Sequence, residues 1–303
     1  MKKETGIKES RFDLKIILWA AVAVYTVLLP FFIFVYRAIL NSFGKEVVGK
    51  IPLAMVAILG ILYSAAVLRN RKNWRYLLFL IPCGIITYLI MKYEPNPNKH
   101  IHIPEYTLMA WLLFAVLSRN YEGRGIFLLI FFYASLLGVV DELEQGILPS
   151  RFYGWSDMLV NSSSSIIGIF TILGLIKIEI GTWGWVRSLK EFKGFVALNL
   201  FGLTGAALMC IRLFQVQAGE KFWGIYPVWL WAWSLLFIIT ASVIVIARFF
   251  EQRRIRQTDG SQSGEIVTSE KTTAQLWVYP LLAILFYMHG LLIFLSATGI
   301  EFK

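Results

Sequence analysis

Three short stretches of the chain combine acids, a histidine and amides at spacings that gather side chains on one helical face. The first is Asn98-Lys99-His100-Ile101-His102-Ile103-Pro104-Glu105-Tyr106. His102 and Tyr106 stand four apart, with Glu105 in the same turn. Pro104 suits a first helical turn, so Lys99 and His102 are expected in the loop that leads into the helix. The second is Asp141-Glu142-Leu143-Glu144-Gln145. Asp141 and Gln145 are four apart and Glu142 and Gln145 three apart, so they share a face. The third follows a connection holding Pro149 and Arg151. It places Asp157 and Asn161 four apart, ahead of Ser162 to Ser165 and Gly168. Small residues at 161, 164, 165 and 168 allow close helix packing.

Glu105, Asp141, Glu142, Glu144 and Asp157 face only Lys99 and Arg151 as firm bases, an excess of three negative charges if His102 is neutral. Such crowding favours a proton held on one carboxyl, a cation, or a cationic ligand. A histidine beside such carboxylates is an acid–base candidate. In that role His102 is the general base or acid and Asp141 or Glu142 sets its protonation. Tyr106 or Asn161 orients the substrate. As a binding site, Lys99 and Arg151 contact anionic groups, while Glu105, Asp157 and the other polar side chains contact amines or hydroxyls. The competing reading is a structural salt-bridge network at helix ends. No GxSxG, HExxH or P-loop pattern names a reaction. No metal-ligand spacing is visible and no cofactor is indicated. Cys83 and Cys210 lie in apolar runs and read as small core residues, not a disulfide framework.

The elements that position these residues follow from composition. The chain has 303 residues, 57% hydrophobic and 16% charged, against about 25% charged in a soluble domain. Its uncharged residues come in runs of 21 (Ile16–Tyr36), 18 (Ile51–Leu68), 16 (Tyr76–Met91), 13 (Tyr106–Ser118), 16 (Gly125–Val140), 19 (Met158–Ile176), 18 (Gly194–Ile211), 26 (Phe222–Ala247) and 29 (Thr272–Ile300). About 20 apolar residues span a bilayer. A soluble enzyme, a disordered chain and a nucleic-acid-binding domain are excluded. Continuous rather than alternating runs also exclude a β-barrel. The first run is too long for a cleaved signal peptide and reads as the first span. The expected fold is all-α, a polytopic transmembrane bundle of about nine spans. Spans four and five have uncharged runs of only 13 and 16 residues, too short to cross the hydrocarbon, so Glu105 and Asp141 reach lipid depth. A carboxylate there is costly unless it meets water, a partner or a ligand.

Of the 29 lysines and arginines, 20 fall in every second inter-span segment if the amino terminus is cytoplasmic. By the positive-inside rule the amino terminus is then cytoplasmic and the carboxyl terminus outside. The net charge of +10 is therefore mainly topological. The expected division is a six-span domain over 1–176, a cytoplasmic interfacial linker over 177–195 with a short helix from Trp183 to Lys193, and a three-span extension over 196–303. A flexible polar loop is expected at 249–275. His289 in the last span reads as an interhelical hydrogen-bonding group. Pro30, Pro82 and Pro280 read as kinks or local unwinding.

The polar segments resemble the VanZ-like family of bacterial membrane proteins over roughly residues 14–176. That family carries Asp-Lys-x-x-His-x-x-Glu-Tyr, then Asp-Glu-x-x-Gln, a Pro-x-Arg connection, and Asp-x-x-x-Asn-x-x-Gly-x-x-x-Gly. Lys99, His102, Glu105 and Tyr106 match the first element, and Asp141, Glu142 and Gln145 the second. Pro149 and Arg151 match the connection; Asp157, Asn161 and Gly168 match the last. Asn98 and Ser164 depart, standing where an acid and a glycine are usual. The resemblance implies a multi-pass protein of the bacterial plasma membrane with its polar site on the extracytoplasmic side. It supports the polar cluster as the working site, with a link to teicoplanin-type antibiotic resistance, without naming a substrate. The ligand expected there is an envelope molecule: membrane lipid, a lipid-linked cell-wall precursor or a glycopeptide. An enzyme modifying an envelope lipid or glycan is the alternative. A transporter is a third reading, disfavoured because no repeat is present and spans four to six are apolar below the cluster.

Overall fold

The computed structural model describes residues 2–70, 73–119, 123, 125–148, 151–177, 192–215, 227–258 and 268–303. Among them are nine α-helices and no strand. In chain order they are α1 (Lys2–Leu28), α2 (Phe32–Asn70), α3 (Leu80–Tyr93), α4 (His102–Leu117), α5 (Ile126–Gln145), α6 (Trp155–Leu175), α7 (Lys193–Leu213), α8 (Val228–Thr258) and α9 (Thr268–Thr298). Nine stretches among the described residues are long and apolar enough to cross a membrane, which is the pattern of a multi-pass membrane protein.

The first stretch, Leu14–Phe43, runs through a 3-10 turn at Leu29–Phe31 that holds Pro30. The unwinding expected at Pro30 is therefore present, since a proline lacks the N–H that an α-helix needs there. Within α2 the helix breaks at Gly44, whose φ of 80° and ψ of 164° suit a residue without a Cβ. That break separates the first apolar stretch from the second, Glu46–Asn70.

The chain divides into two compact units: Met1–Leu148 with Gly154–Thr182, and Pro149–Tyr153 with Trp183–Lys303. In the first unit, 67% of the fourth and fifth stretches is buried, against 22%, 17% and 11% of the first three. So α4 and α5 form the centre, while α1 to α3 expose large apolar side chains such as Ile17, Ile61 and Ile81, as lipid-facing helices do. The small residues of α6 allow its close approach to α4. A Cβ on Gly168 would come within 2.6 Å of Ala110 Cβ and 2.8 Å of the Thr107 carbonyl oxygen. Trp111 Nε1 donates to Thr171 Oγ1 at 2.9 Å across the same pair of helices.

In the second unit, His289 of α9 ties three helices together. Its Nδ1 lies 2.9 Å from Ser234 Oγ on α8, and its Nε2 lies 3.0 Å from the Gly202 carbonyl oxygen on α7. A carbonyl only accepts, so Nε2 carries the hydrogen and the serine hydroxyl is placed to donate to Nδ1. This is the interhelical role expected for His289. Tyr153 N–H donates to the Lys303 carbonyl at 2.7 Å, and its ring packs on Phe302.

The loop expected at 249–275 differs in part. Residues 249–258 extend α8 and 268–275 open α9. Glu, Gln and Arg dominate residues 251–257 and are good helix formers, so α8 runs on past its apolar segment. Residues 259–267, and 183–191 of the expected interfacial helix, lie outside the described residues.

Candidate functional site

The site is built from three helix ends of the first unit. Asn96 caps a 3-10 turn over Pro97–Ile101 by accepting from Asn98 N–H at 3.1 Å. Lys99 sits in that turn. His102 is the first residue of α4 rather than part of a loop, and Pro104 occupies the third position. Proline fits there because the first helical N–H groups have no partner within the helix. His102, Glu105 and Tyr106 thus share the first turn and face inward, all buried. His102 Nδ1 lies 3.1 Å from Glu105 Oε2. That distance suits an ion pair, but the alignment falls short of a hydrogen bond.

The last turn of α5 supplies Asp141, Glu142 and Gln145, each at most 1% exposed. Tyr106 Oη donates to Asp141 Oδ2 at 3.0 Å. Gln145 Nε2 donates to Glu142 Oε1 at 3.2 Å, and Gly154 N–H donates to Glu142 Oε2 at 3.1 Å. A helix carries partial negative charge at its C-terminus, so two buried carboxylates there oppose the local field. The donors that meet them in these bonds are neutral. Burying charge in this way calls for positive charge close by.

The first turn of α6 supplies Asp157, and Asn161 stands one turn further on the same face. Lys99 Nζ lies 2.7 Å from Asp157 Oδ1 and 3.2 Å from Glu94 Oε2. The same ammonium donates to Ser156 Oγ at 3.2 Å. Lys99 is therefore held by two carboxylates and a hydroxyl, not left to receive an anion. Asn161 is fully buried, and neither its amide nitrogen nor its amide oxygen has a hydrogen-bond partner. It lies between α4 and α5. A Cβ on Gly138 of α5 would sit 3.1 Å from Asn161 Cβ and 3.4 Å from Tyr106 Cε1.

The structure thus brings together Lys99, His102, Glu105, Tyr106, Asp141, Glu142, Gln145, Asp157 and Asn161. Arg151, grouped with them by sequence, belongs to the second unit. Four contributors were not anticipated. Glu94 pairs with Lys99 from five residues upstream, a spacing that a turn makes close and a helix does not. Ser156 binds the same ammonium. Gly154 and Gly138 act through a backbone N–H and a missing Cβ, which residue-type patterns do not reveal. The site also contains a set of potential metal ligands, His102, Glu142 and Asp157, whose ligand atoms lie within 4.8 Å of one another. They come from three separate helices, so no local spacing announces them.

Comparison with known proteins adds no relative: no protein family, curated protein or solved structure matches the chain.

Proposed function

We propose that the chain is a VanZ-like protein of the bacterial plasma membrane that binds the polar head of a cell-envelope molecule between α4, α5 and α6. In this reading the amino terminus is cytoplasmic, the carboxyl terminus is outside, and the cluster opens on the extracytoplasmic side. The alternation of basic segments supports that orientation. Membrane lipid, a lipid-linked cell-wall precursor and a teicoplanin-type glycopeptide all present the hydroxyls, amides and amines that buried carboxylates and an amide recognise.

Asn161 is the observation that carries this reading. A buried amide with no partner costs about 1–3 kcal/mol per unmade bond. Helix packing alone gives no reason to keep an asparagine there, since an apolar residue of the same size would avoid that cost. A ligand that reaches the gap satisfies both amide atoms. Part-exposed Lys99, Gly154 and Ser156 border the cluster and mark where a head group enters.

The test is to purify the chain from native membranes in mild detergent and identify bound lipids by mass spectrometry. A polar envelope lipid retained by the wild type and lost in Asn161→Ala supports the reading. Identical lipid content in the two proteins, together with unchanged teicoplanin susceptibility of a deletion strain, overturns it.

A second reading has the same cluster modify its ligand. The observation favouring it is His102 packed against Glu105 and converging on Glu142 and Asp157, which suits acid–base chemistry. Here His102→Ala alters the envelope lipid profile as deletion does, whereas profiles identical to wild type in both strains remove the catalytic reading.

A further inference from the structure

The cluster has one more property that the binding reading leaves unused. A ring nitrogen of His102, a carboxylate oxygen of Glu142 and a carboxylate oxygen of Asp157 lie within 4.8 Å of one another, and all three residues are buried. We propose that His102, Glu142 and Asp157 bind a divalent first-row cation, Zn2+ or Mn2+. The proposal rests on the reading of the α4–α6 gap as a binding site and names what anchors the ligand there.

The donor chemistry selects the ion. One imidazole nitrogen with two carboxylate oxygens is a mixed set suited to Zn2+ or Mn2+, whereas Ca2+ and Mg2+ prefer oxygen alone. Bonds of about 2.0–2.2 Å to such an ion draw these donors inward by about 1 Å, a change within reach of side-chain torsions. Three protein ligands leave coordination positions open for water or for an oxygen of a head group. Glu105, 3.1 Å from His102 Nδ1, sits where a carboxylate orients a ligating imidazole. The proposal accordingly assigns Nε2 to the ion.

Two independent observations point to a bound cation. The first is charge. Glu105, Asp141 and Glu142 are gathered around His102, and the nearby Lys99 ammonium is already shared by Asp157, Glu94 and Ser156. Asp157 gives Oδ1 to that ammonium, which leaves Oδ2 for the ion, and Glu142 is met by the neutral Gln145 amide and Gly154 N–H. The second is buried polar atoms without partners: Asp141 Oδ1 and both amide atoms of Asn161 make no hydrogen bond at 0% exposure.

The experiment uses the full chain in detergent, stripped with chelator and titrated calorimetrically with Zn2+ or Mn2+ alone. The expected result is one ion per chain for the wild type. His102→Gln, Glu142→Gln and Asp157→Asn should each weaken binding by about 10–100-fold, with His100→Gln at the wild-type value. In case these variants misfold, the wild type loaded with Mn2+ supplies a second measurement. Pulsed electron paramagnetic resonance should show coupling to an imidazole nitrogen. No stoichiometric uptake of either ion, or uptake without nitrogen coupling, overturns the proposal. If the stripped wild type takes up no ion yet retains an Asn161-dependent lipid, the cation falls and the binding pocket stands. Ion uptake with nitrogen coupling but no retained lipid upholds the cation and sinks the head-group reading.

Discussion

Lys99 Nζ lies 2.7 Å from Asp157 Oδ1, joining the turn that leads into α4 to the first turn of α6. The same ammonium reaches Glu94 at 3.2 Å, so one part-buried cation serves two acids. Breaking one side of a buried pair costs about 3–5 kcal/mol. With Lys99 about 30% exposed, the expected loss for Lys99→Met is smaller, about 1–3 kcal/mol. The Lys99→Met, Asp157→Asn double variant should recover part of it, because the stranded carboxylate is gone. Unfolding in detergent, read as a double-mutant cycle, checks this. Strictly additive losses would show that the two side chains do not interact.

Gly168 gives a sharper packing test. An added Cβ meets Ala110 Cβ at 2.6 Å and the Thr107 carbonyl oxygen at 2.8 Å, and the second of these is backbone. Gly168→Ala should cost about 1–3 kcal/mol through overpacking and should disturb the α4–α6 gap. Gly84 on α3 meets nothing within 4 Å, so Gly84→Ala should leave stability unchanged or slightly raise it. Equal effects of the two substitutions would contradict the close α4–α6 approach.

Much of this architecture was legible from charge spacing alone. Nine uncharged runs anticipated nine apolar stretches, because lipid tolerates few charges over a span's length. Helical periodicity also grouped His102 with Glu105 and Tyr106, and Asp157 with Asn161. The short connections between spans four, five and six implied that these polar ends converge, but not which side chains meet. Tyr106 reaches Asp141 over 35 positions and Lys99 reaches Asp157 over 58, distances at which spacing carries no information. The loop expected around His102 failed for a local reason: Pro104 sits at the third position of α4, early enough that the helix begins ahead of it. Gly44 was passed over because a glycine with positive φ looks like any other until the backbone is seen.

His289 provides a control of a different kind. With Gly202 and Ser234 as partners and Phe237 packed at 4.7 Å, it serves the packing of α7, α8 and α9. His289→Leu removes a second bond to the Gly202 carbonyl and strips the buried Ser234 hydroxyl of its ring acceptor, an expected loss of about 1–3 kcal/mol in all. Nitrogen-15 spectra of the wild type should show the neutral ring with hydrogen on Nε2. Zn2+ or Mn2+ uptake should not depend on this residue. A His289→Gln variant that stays folded but loses the ion would move the metal site out of the α4–α6 cluster.

Orientation decides which compartment supplies the ligand. Basic residues alternate between inter-span segments, and charge near span ends sets topology more strongly than loop length does. Pro95, exposed and four residues before Lys99, should then lie outside, and exposed Trp74, beside the basic group at Arg69 to Arg75, should lie inside. In a background where Cys83 and Cys210 are replaced, Pro95→Cys should react with an impermeant maleimide on intact cells. Trp74→Cys should react after permeabilisation. The reverse pattern would place the cluster on the cytosolic side and replace envelope head groups with cytosolic ligands as its partners.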